Sequence, residues 1–295
     1  MDVVVKPGKY VVAVSGGVDS MVLLDLLRKQ SGLELIIAHF EHGIRPDSMA
    51  DFTLVRDTAA ALGLPFAAAH GKLGSGASEA AARKARYEFL EHVVIEEKAD
   101  AIITAHHQDD LLETAILNML RGTGRLGLSS LRSREALLRP LLAYSKQVIL
   151  QYALDHHITW REDSTNADDR YLRNYIRRAI VPRLGTKGRQ VLLERIEHAK
   201  AINDQIDELL HKDIDLQPAP DQLDRRWFIQ LPYAVSSEVM AAWLRGQGVA
   251  QFDRTLIDRL VVQGKTKAAG KQADINGTYI LVFEKEKIRL LPRRK

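Results

Sequence analysis

Residues 15–20, Ser-Gly-Gly-Val-Asp-Ser, follow the apolar run YVVAV at 10–14 and lead straight into MVLLDLLRK. A glycine turn between a buried strand and a helix makes a pocket for an anion. Gly16 and Gly17 let the backbone come close, and the N–H groups at the helix start point at the ligand. Ser15 and Ser20 can add hydroxyl donors, so the whole loop, Val18 included, is a candidate phosphate cradle. Asp19 is the odd member, because a carboxylate repels phosphate. A divalent cation between them resolves the conflict, and Mg2+ is the usual one. The loop is neither G-x-x-x-x-G-K-[ST], since no Lys follows, nor G-x-G-x-x-G.

Other clusters carry reactive groups. His39, Glu41, His42, Gly43 and Arg45 fall in HFEHGIR. TAHHQDDLLET at 104–114 holds His106, His107, Asp109, Asp110 and Glu113. A helix starting near His107 puts the acids in its first two turns, where they suit the helix dipole. Asp110 and Glu113, three apart, share a face and can hold a metal or an ammonium group. Arg83 and Arg86 also share a face, either as an exposed pair with Glu79 or as a cation for phosphate or carboxylate. RGTGRLGLSSL, with Arg121, Gly122 and two further glycines, is either a flexible connection or a flap over a nucleotide. Residues 170–200 carry nine Lys/Arg against two acids, in a chain whose net charge is only +4. Such local positive charge suits a nucleic-acid backbone, and Tyr171 and Tyr175 within it suit either base stacking or the core.

Elements that could position these residues are legible in the apolar pattern. Strands are expected at 10–14, 33–40, 65–70 and 100–105. Helices are expected at about 19–29, 47–62, 78–98 (Ser78 as N-cap) and 107–121. Continuous apolar strands alternating with helices predict an α/β fold with a parallel sheet covered on both faces. Ligands of such sheets lie at the strands' carboxyl ends, where the polar clusters fall. Beyond residue 145 the pattern turns helical, with a long amphipathic helix at 189–211 and a break at QPAPDQ. Residues 226–295 read as a small α+β unit with a helix at 236–246 and a strand–turn–strand in ADINGTYILVFEKEKIRLL. The expected domains are 1–188 (catalytic), 189–215 (connecting helix) and 216–295.

The loop SGGVDS resembles the pyrophosphate loop of the N-type ATP pyrophosphatases. SGGVDS, HFEHGIRPDS, EAAARKARY, TAHHQDDLLET, RGTGRLGLSSL, RPLL and EDSTNADDRYLRNYIRR occur in the order found in bacterial tRNA(Ile)-lysidine synthetases. The resemblance is strong over about residues 10–180 and weak after 226. It implies a carbon–nitrogen ligase that uses ATP and Mg2+ to adenylate the wobble cytidine of a CAU-anticodon isoleucine tRNA. The side-chain amine of free L-lysine then displaces AMP. By the same resemblance, Ser15–Ser20, His39, Arg45, Arg121 and Gly122 would hold ATP, with Asp19 on the metal. Asp110 and Glu113 would face lysine, and Arg86 its carboxylate or a phosphate. His106 and His107 would lie near the reacting base or the phosphates. Arg173, Asn174, Arg177 and Arg178 would bind tRNA, as would the small C-terminal domain. The chain resembles the family's compact type, and the family admits a homodimer.

Composition narrows the field. The chain has 295 residues and no cysteine, which excludes disulfide scaffolds, thiolate metal sites and cysteine nucleophiles. A thiolase of the same superfamily that carries sulfur on its own cysteine is thereby set aside. The rivals left are an amide-forming ligase on a small acceptor and a non-catalytic tRNA-binding protein of the same fold. The apolar runs are too short to span a bilayer, and the first residues lack the pattern of a signal peptide, so a cytoplasmic location is expected.

Overall fold

The computed structural model describes residues 1–41, 48–71, 79–162, 172–215, 217, 219–249 and 252–293. It divides into two compact units. The first comprises residues 1–123 and 127–196, the second residues 124–126 and 197–295.

The first unit is built on a parallel sheet. In chain order its elements are β1 (Gly8–Ala13), α1 (Val18–Arg28), β2 (Leu33–Glu41), α2 (Ser48–Leu62), β3 (Phe66–His70), α3 (Glu79–Glu97), β4 (Ala101–Ile103), α4 (Gln108–Leu120), β5 (Leu137–Leu138), α5 (Lys146–Asp155) and the short α6 (Leu172–Tyr175). The strand order is β3-β2-β1-β4-β5, all parallel. β1 is central, which explains why its residues are apolar on both faces. Tyr10 and Val12 pack in the cluster beneath α1, α2 and α5, whereas Val11 packs with Leu90 and Val93 of α3 on the other side. β2 divides its side chains the same way, Leu35 and Ile37 against Ile36 and Ala38. That is the period-two alternation of a pleated strand.

Strand order reverses where β1 meets β4. The chain leaves β1 toward one edge of the sheet and returns to β4 on its other side, so the connections after these two strands open a crevice. The loop Ser15–Ser20 follows β1, and Thr104–His107 follow β4. α4 then packs Leu112 and Ala115 against Ile176, Val181 and Ile196. After α6 a wide turn of π type, Ile176–Ile180, carries Arg177 and Arg178.

α7 (Gly185–Asp215) runs for 31 residues, longer at both ends than expected. The second unit follows with β6 (Gln222–Asp224), α8 (Arg225–Gln230), α9 (Tyr233–Gly246), α10 (Arg254–Thr266), β7 (Lys271–Asp274), β8 (Tyr279–Phe283) and β9 (Lys287–Pro292). Its antiparallel sheet has the order β6-β9-β8-β7. The expected strand–turn–strand is corrected to three strands. Ala273 and Asp274 end a strand that begins at Lys271 and pairs with β8 around the Asn276–Gly277 turn. Its core centres on Trp243, Phe228 and Phe283, all essentially inaccessible. Arg125 belongs to this unit and donates to Asp207 at 2.5 Å, Glu238 at 2.7 Å and Asn203 Oδ1 at 3.2 Å. Among the described residues, no helix is long and apolar enough to cross a membrane.

Leu23 on α1 is fully buried against the sheet. Leu23→Ala should cost about 2–5 kcal/mol, the usual range for an emptied core site, read as a lower urea midpoint for unfolding of the first unit.

Candidate functional site

The loop after β1 is braced from within. Ser20 is buried, accepts the Ser15 N–H at 3.1 Å and donates from its hydroxyl to the Gly17 carbonyl at 2.9 Å. Ser20 therefore shapes the loop, while Ser15 remains exposed. Gly16 has φ +88, a conformation that favours glycine, and a Cβ there would sit 3.5 Å from Asp51 and Val55 of α2. Gly17 occupies the N-cap of α1 with no side-chain cap; the Ser20 N–H donates to the Gly17 carbonyl at 3.1 Å, which leaves the N–H groups of Val18 and Asp19 for a ligand. Val18 is buried and anchors this first turn.

Two groups outside the loop fix it. Arg161 donates its backbone N–H to the Gly16 carbonyl at 3.0 Å and its Nε to buried Asp51 at 2.8 Å. His39 Nδ1 donates to the Val14 carbonyl at 2.8 Å. His39 is only 3% exposed, and burial holds its pKa below the ordinary value despite that bond. His39, expected as a nucleotide contact, holds the end of β1 through Val14. Arg45, His42 and Gly43 lie outside the described residues.

His107 joins this loop to α4. It is the N-cap of α4: its Nδ1 accepts from the Asp109 N–H at 3.2 Å, and its own N–H donates to Asp110 Oδ2 at 3.0 Å. Its Nε2 lies 3.7 Å from Asp19 and 3.6 Å from Asp110. Burial alone would raise Asp110, but His107, His106 and Arg177 hold it below the usual carboxylate range. Glu113, one turn on, is 1% exposed, and burial pushes its carboxyl up against the opposing pull of Arg177. Arg177 grips it with two bonds, 2.6 and 2.9 Å, and reaches Asp110 at 3.2 Å, while Arg173 approaches Glu113 at 3.5 Å. Arg173 and Arg177, expected to bind tRNA, turn toward the acids of α4. Asn174 is half-buried, and Arg178 is exposed.

On the other side of His106 stands a group of guanidinium ions. Arg83 and Arg86 stack on the Tyr87 ring, 4.9 and 5.5 Å from its centroid. Arg139 is buried, donates to the Arg132 carbonyl, and its Nε has no partner among the described residues. Burial lowers Arg86 and Arg139 from their ordinary values, and neighbouring arginines add to the effect. His106 bonds to Thr104 Oγ1 at 2.8 Å. Burial, reinforced by Arg139, Arg86 and Arg83, pushes its pKa from 6.5 down to about 3, against the pull of Asp110.

Arg121 and Gly122 are not brought here. They close the far end of α4, 13 residues from its start, and a helix rises about 1.5 Å per residue, so they stand about 20 Å away. Sequence reasoning missed Lys146, whose Nζ lies 2.7 and 2.8 Å from the two oxygens of Asp19. Asp109, read only as an acid of the first helical turns, accepts the Lys146 N–H at 2.7 Å and pairs with Arg189 at 2.7 Å. The sequence signal of Lys146 was slight: it follows an N-cap serine four residues after RPLL.

A glycine loop and uncapped helix at the switch point of a five-stranded parallel sheet define a PP-loop domain, and residues 2–184 match the family so described. The tRNA(Ile)-lysidine synthase of Lactiplantibacillus plantarum is 32% identical over 97% of this chain and 67% of its own length. That of Chlorobaculum tepidum is 34% identical over 81% and 78%, and that of Solibacter usitatus 36% over 64% and 44%. The chain belongs to the tRNA(Ile)-lysidine synthase family of PP-loop proteins. It spans 44% of the Solibacter relative and 35% of a Thermus thermophilus one. Among solved structures, a U34-tRNA thiolase of Methanococcus maripaludis shares the fold, with TM-score 0.57 and 19% identity over 67% of this chain and 73% of that one.

The lowered His106 pKa has a consequence for acid stability. Between its folded value of about 3 and its ordinary 6.5, the unfolded chain binds the extra proton, so stability falls as pH drops through that window. His106→Gln should lose less stability between pH 7 and pH 5 than the wild type, measured by urea unfolding at both values.

Proposed function

We propose that the chain is a carbon–nitrogen ligase that joins free L-lysine to C2 of the wobble cytidine in a CAU-anticodon isoleucine tRNA, at the expense of ATP. One observation carries the reading. His107 spans the phosphate loop and the acid pair, 3.7 Å from Asp19 and 3.6 Å from Asp110. An anion cradle and an ammonium site therefore lie one imidazole apart, as two-step activation and amine transfer require.

The N–H groups at the start of α1 take the β,γ-diphosphate, in a fold whose loop is rigid before the ligand arrives. Such preorganised donors stabilise departing charge without reorganisation. Asp19 is the carboxylate at the loop, and one carboxylate with phosphate oxygens is a common Mg2+ donor set. A Mg2+ ion brought by the triphosphate supplies further positive charge there. Oxygen at C2 of cytosine is a poor leaving group; attack of that oxygen on the α-phosphorus expels pyrophosphate and converts it into the oxygen of AMP. Lysine then attacks C2 with its side-chain nitrogen, the C2–O bond breaks, and AMP leaves.

A free lysine amine has an ordinary pKa near ~10.4 and must lose protons to react. Asp110, held ionised, binds the ammonium. Glu113, raised by burial, is the better proton acceptor, because a base tuned toward neutral pH transfers protons more efficiently. Arg177 keeps Glu113 oriented, and the carboxylate retains lone pairs for the amine. Arg86, with its flat guanidinium, suits the lysine carboxylate or a phosphate. The exposed cations Arg178, Arg183, Lys187 and Arg195 supply the RNA-facing charge, and the second unit makes a further tRNA contact.

Incubation with ATP, unmodified isoleucine tRNA and labelled lysine should give ATP-dependent label in the tRNA, and labelled arginine should give none. Asp19→Ala should abolish both AMP formation and labelling. Glu113→Ala should reduce lysine transfer by about 100-fold or more while adenylated tRNA still forms. A Glu113→Ala enzyme as fast as wild type would show that the amine site is elsewhere.

A further inference from the structure

The loop Ser15–Ser20 lacks the lysine with which the G-x-x-x-x-G-K-[ST] loops reach the β- and γ-phosphates. A lysine stands at its rim all the same, delivered from 127 residues away. Lys146 is the first residue of α5, and its Nζ lies 2.7 and 2.8 Å from the two oxygens of Asp19, in the first turn of α1.

Its backbone is fixed more firmly than a surface lysine needs. The Lys146 N–H donates to Asp109 Oδ2 at 2.7 Å, and Arg189 holds the other oxygen of Asp109 at 2.7 Å. Residues of α4, α5 and α7 thus converge to set where this side chain starts. Stability does not account for the arrangement. The two side chains are 38% and 28% exposed, and ion pairs that open to water contribute little to stability. The pair does have an electrostatic use: it cancels the one carboxylate that would oppose an anion at the start of α1.

We infer that Lys146 is a phosphate-binding residue, whose ammonium contacts the diphosphate of a triphosphate held by the loop as well as neutralising Asp19. The inference rests on the nucleotide-binding reading given above. Lysine is a compact point charge with three donors, so one ammonium can serve a carboxylate and a phosphate oxygen together.

The test is binding of inorganic pyrophosphate and of AMP, by titration calorimetry in EDTA, so that no metal contributes. Variants are Lys146→Met, Lys146→Gln and Lys146→Arg, each in wild-type and Asp19→Asn backgrounds, with melting temperatures to identify folded proteins. Either neutral variant serves if the other fails to fold. Removing a charge-assisted hydrogen bond should weaken pyrophosphate about 10- to 100-fold, and Lys146→Arg should recover most of the loss. AMP affinity should stay within about twofold, because AMP lacks the outer phosphates. The loss should persist in the Asp19→Asn background, since a direct phosphate contact does not pass through Asp19. If Lys146→Met has no effect once Asp19 is neutral, the lysine merely masks the carboxylate and the inference is wrong. An equal loss of AMP and pyrophosphate overturns it too, by showing that Lys146 organises the site as a whole. A wild-type chain that binds neither AMP nor pyrophosphate sinks the nucleotide-binding reading, and this inference with it. Wild-type binding matched by every variant sinks the inference alone.

Discussion

Helix α1 starts on Gly17 without a side chain to cap it. Unsatisfied N–H groups at a helix start are costly when shielded from water, and most helices recruit a serine, threonine or aspartate to satisfy one. Here the two candidate hydroxyls are bound within the loop, Ser20 to the Gly17 carbonyl and Ser15 to the Gly17 N–H. Ser20 ties Ser15 to Gly17, and Asp19 faces Lys146. The donors stay available, and neighbouring elements are arranged to keep them so. Asp51 and Arg161 hold Gly16 from α2 and from the segment after α5, and His39 holds Val14 from β2. The backbone at the start of α1 is thus held still by side chains from β2, α2 and the segment after α5.

Electrostatics divides the rest of the crevice into two regions. Around α4, Asp110 and Glu113 are met by Arg177 and Arg173, so the buried acids are paired as buried charges must be. Around His106, Arg83, Arg86 and Arg139 gather about Tyr87, and burial, with the Arg83 charge adding to it, lowers Arg86 and Arg139 from their ordinary values.

Local chemistry was legible in the sequence where it was written in consecutive residues. The loop Ser15–Ser20, the acid pair Asp110 and Glu113, and the strands flanking them follow from apolar runs and turn residues within about 20 positions. What was not legible depends on contacts across the chain. Lys146 reads as an ordinary helix-start residue until β4 and α4 bring its ammonium to Asp19. Arg173 and Arg177 read as RNA contacts because their partner Glu113 lies 60 and 64 residues away. Arg121 and Gly122, expected at the nucleotide, stand at the far end of α4, because the helix carries them away from the loop. In the C-terminal unit, Lys271–Asp274 was hard to read as a strand because three of its four residues are polar and exposed, leaving only Ala273 in the core.

The assignment of residues 124–126 to the second unit bears on how the chain can be divided. Arg125 leaves the first unit's sequence to complete a half-buried polar knot with Asp207, Glu238 and Asn203, and Asn203 returns a bond to the Arg125 carbonyl at 3.0 Å. During synthesis this arginine emerges about 80 residues before Asp207, so its guanidinium must wait in solvent until α7 follows. Cleavage after Ile196 would strand it permanently and leave two carboxylates without their shared cation. Recombination between homologues at that junction is therefore penalised unless position 125 travels with the downstream half, which ties the inheritance of the two units together.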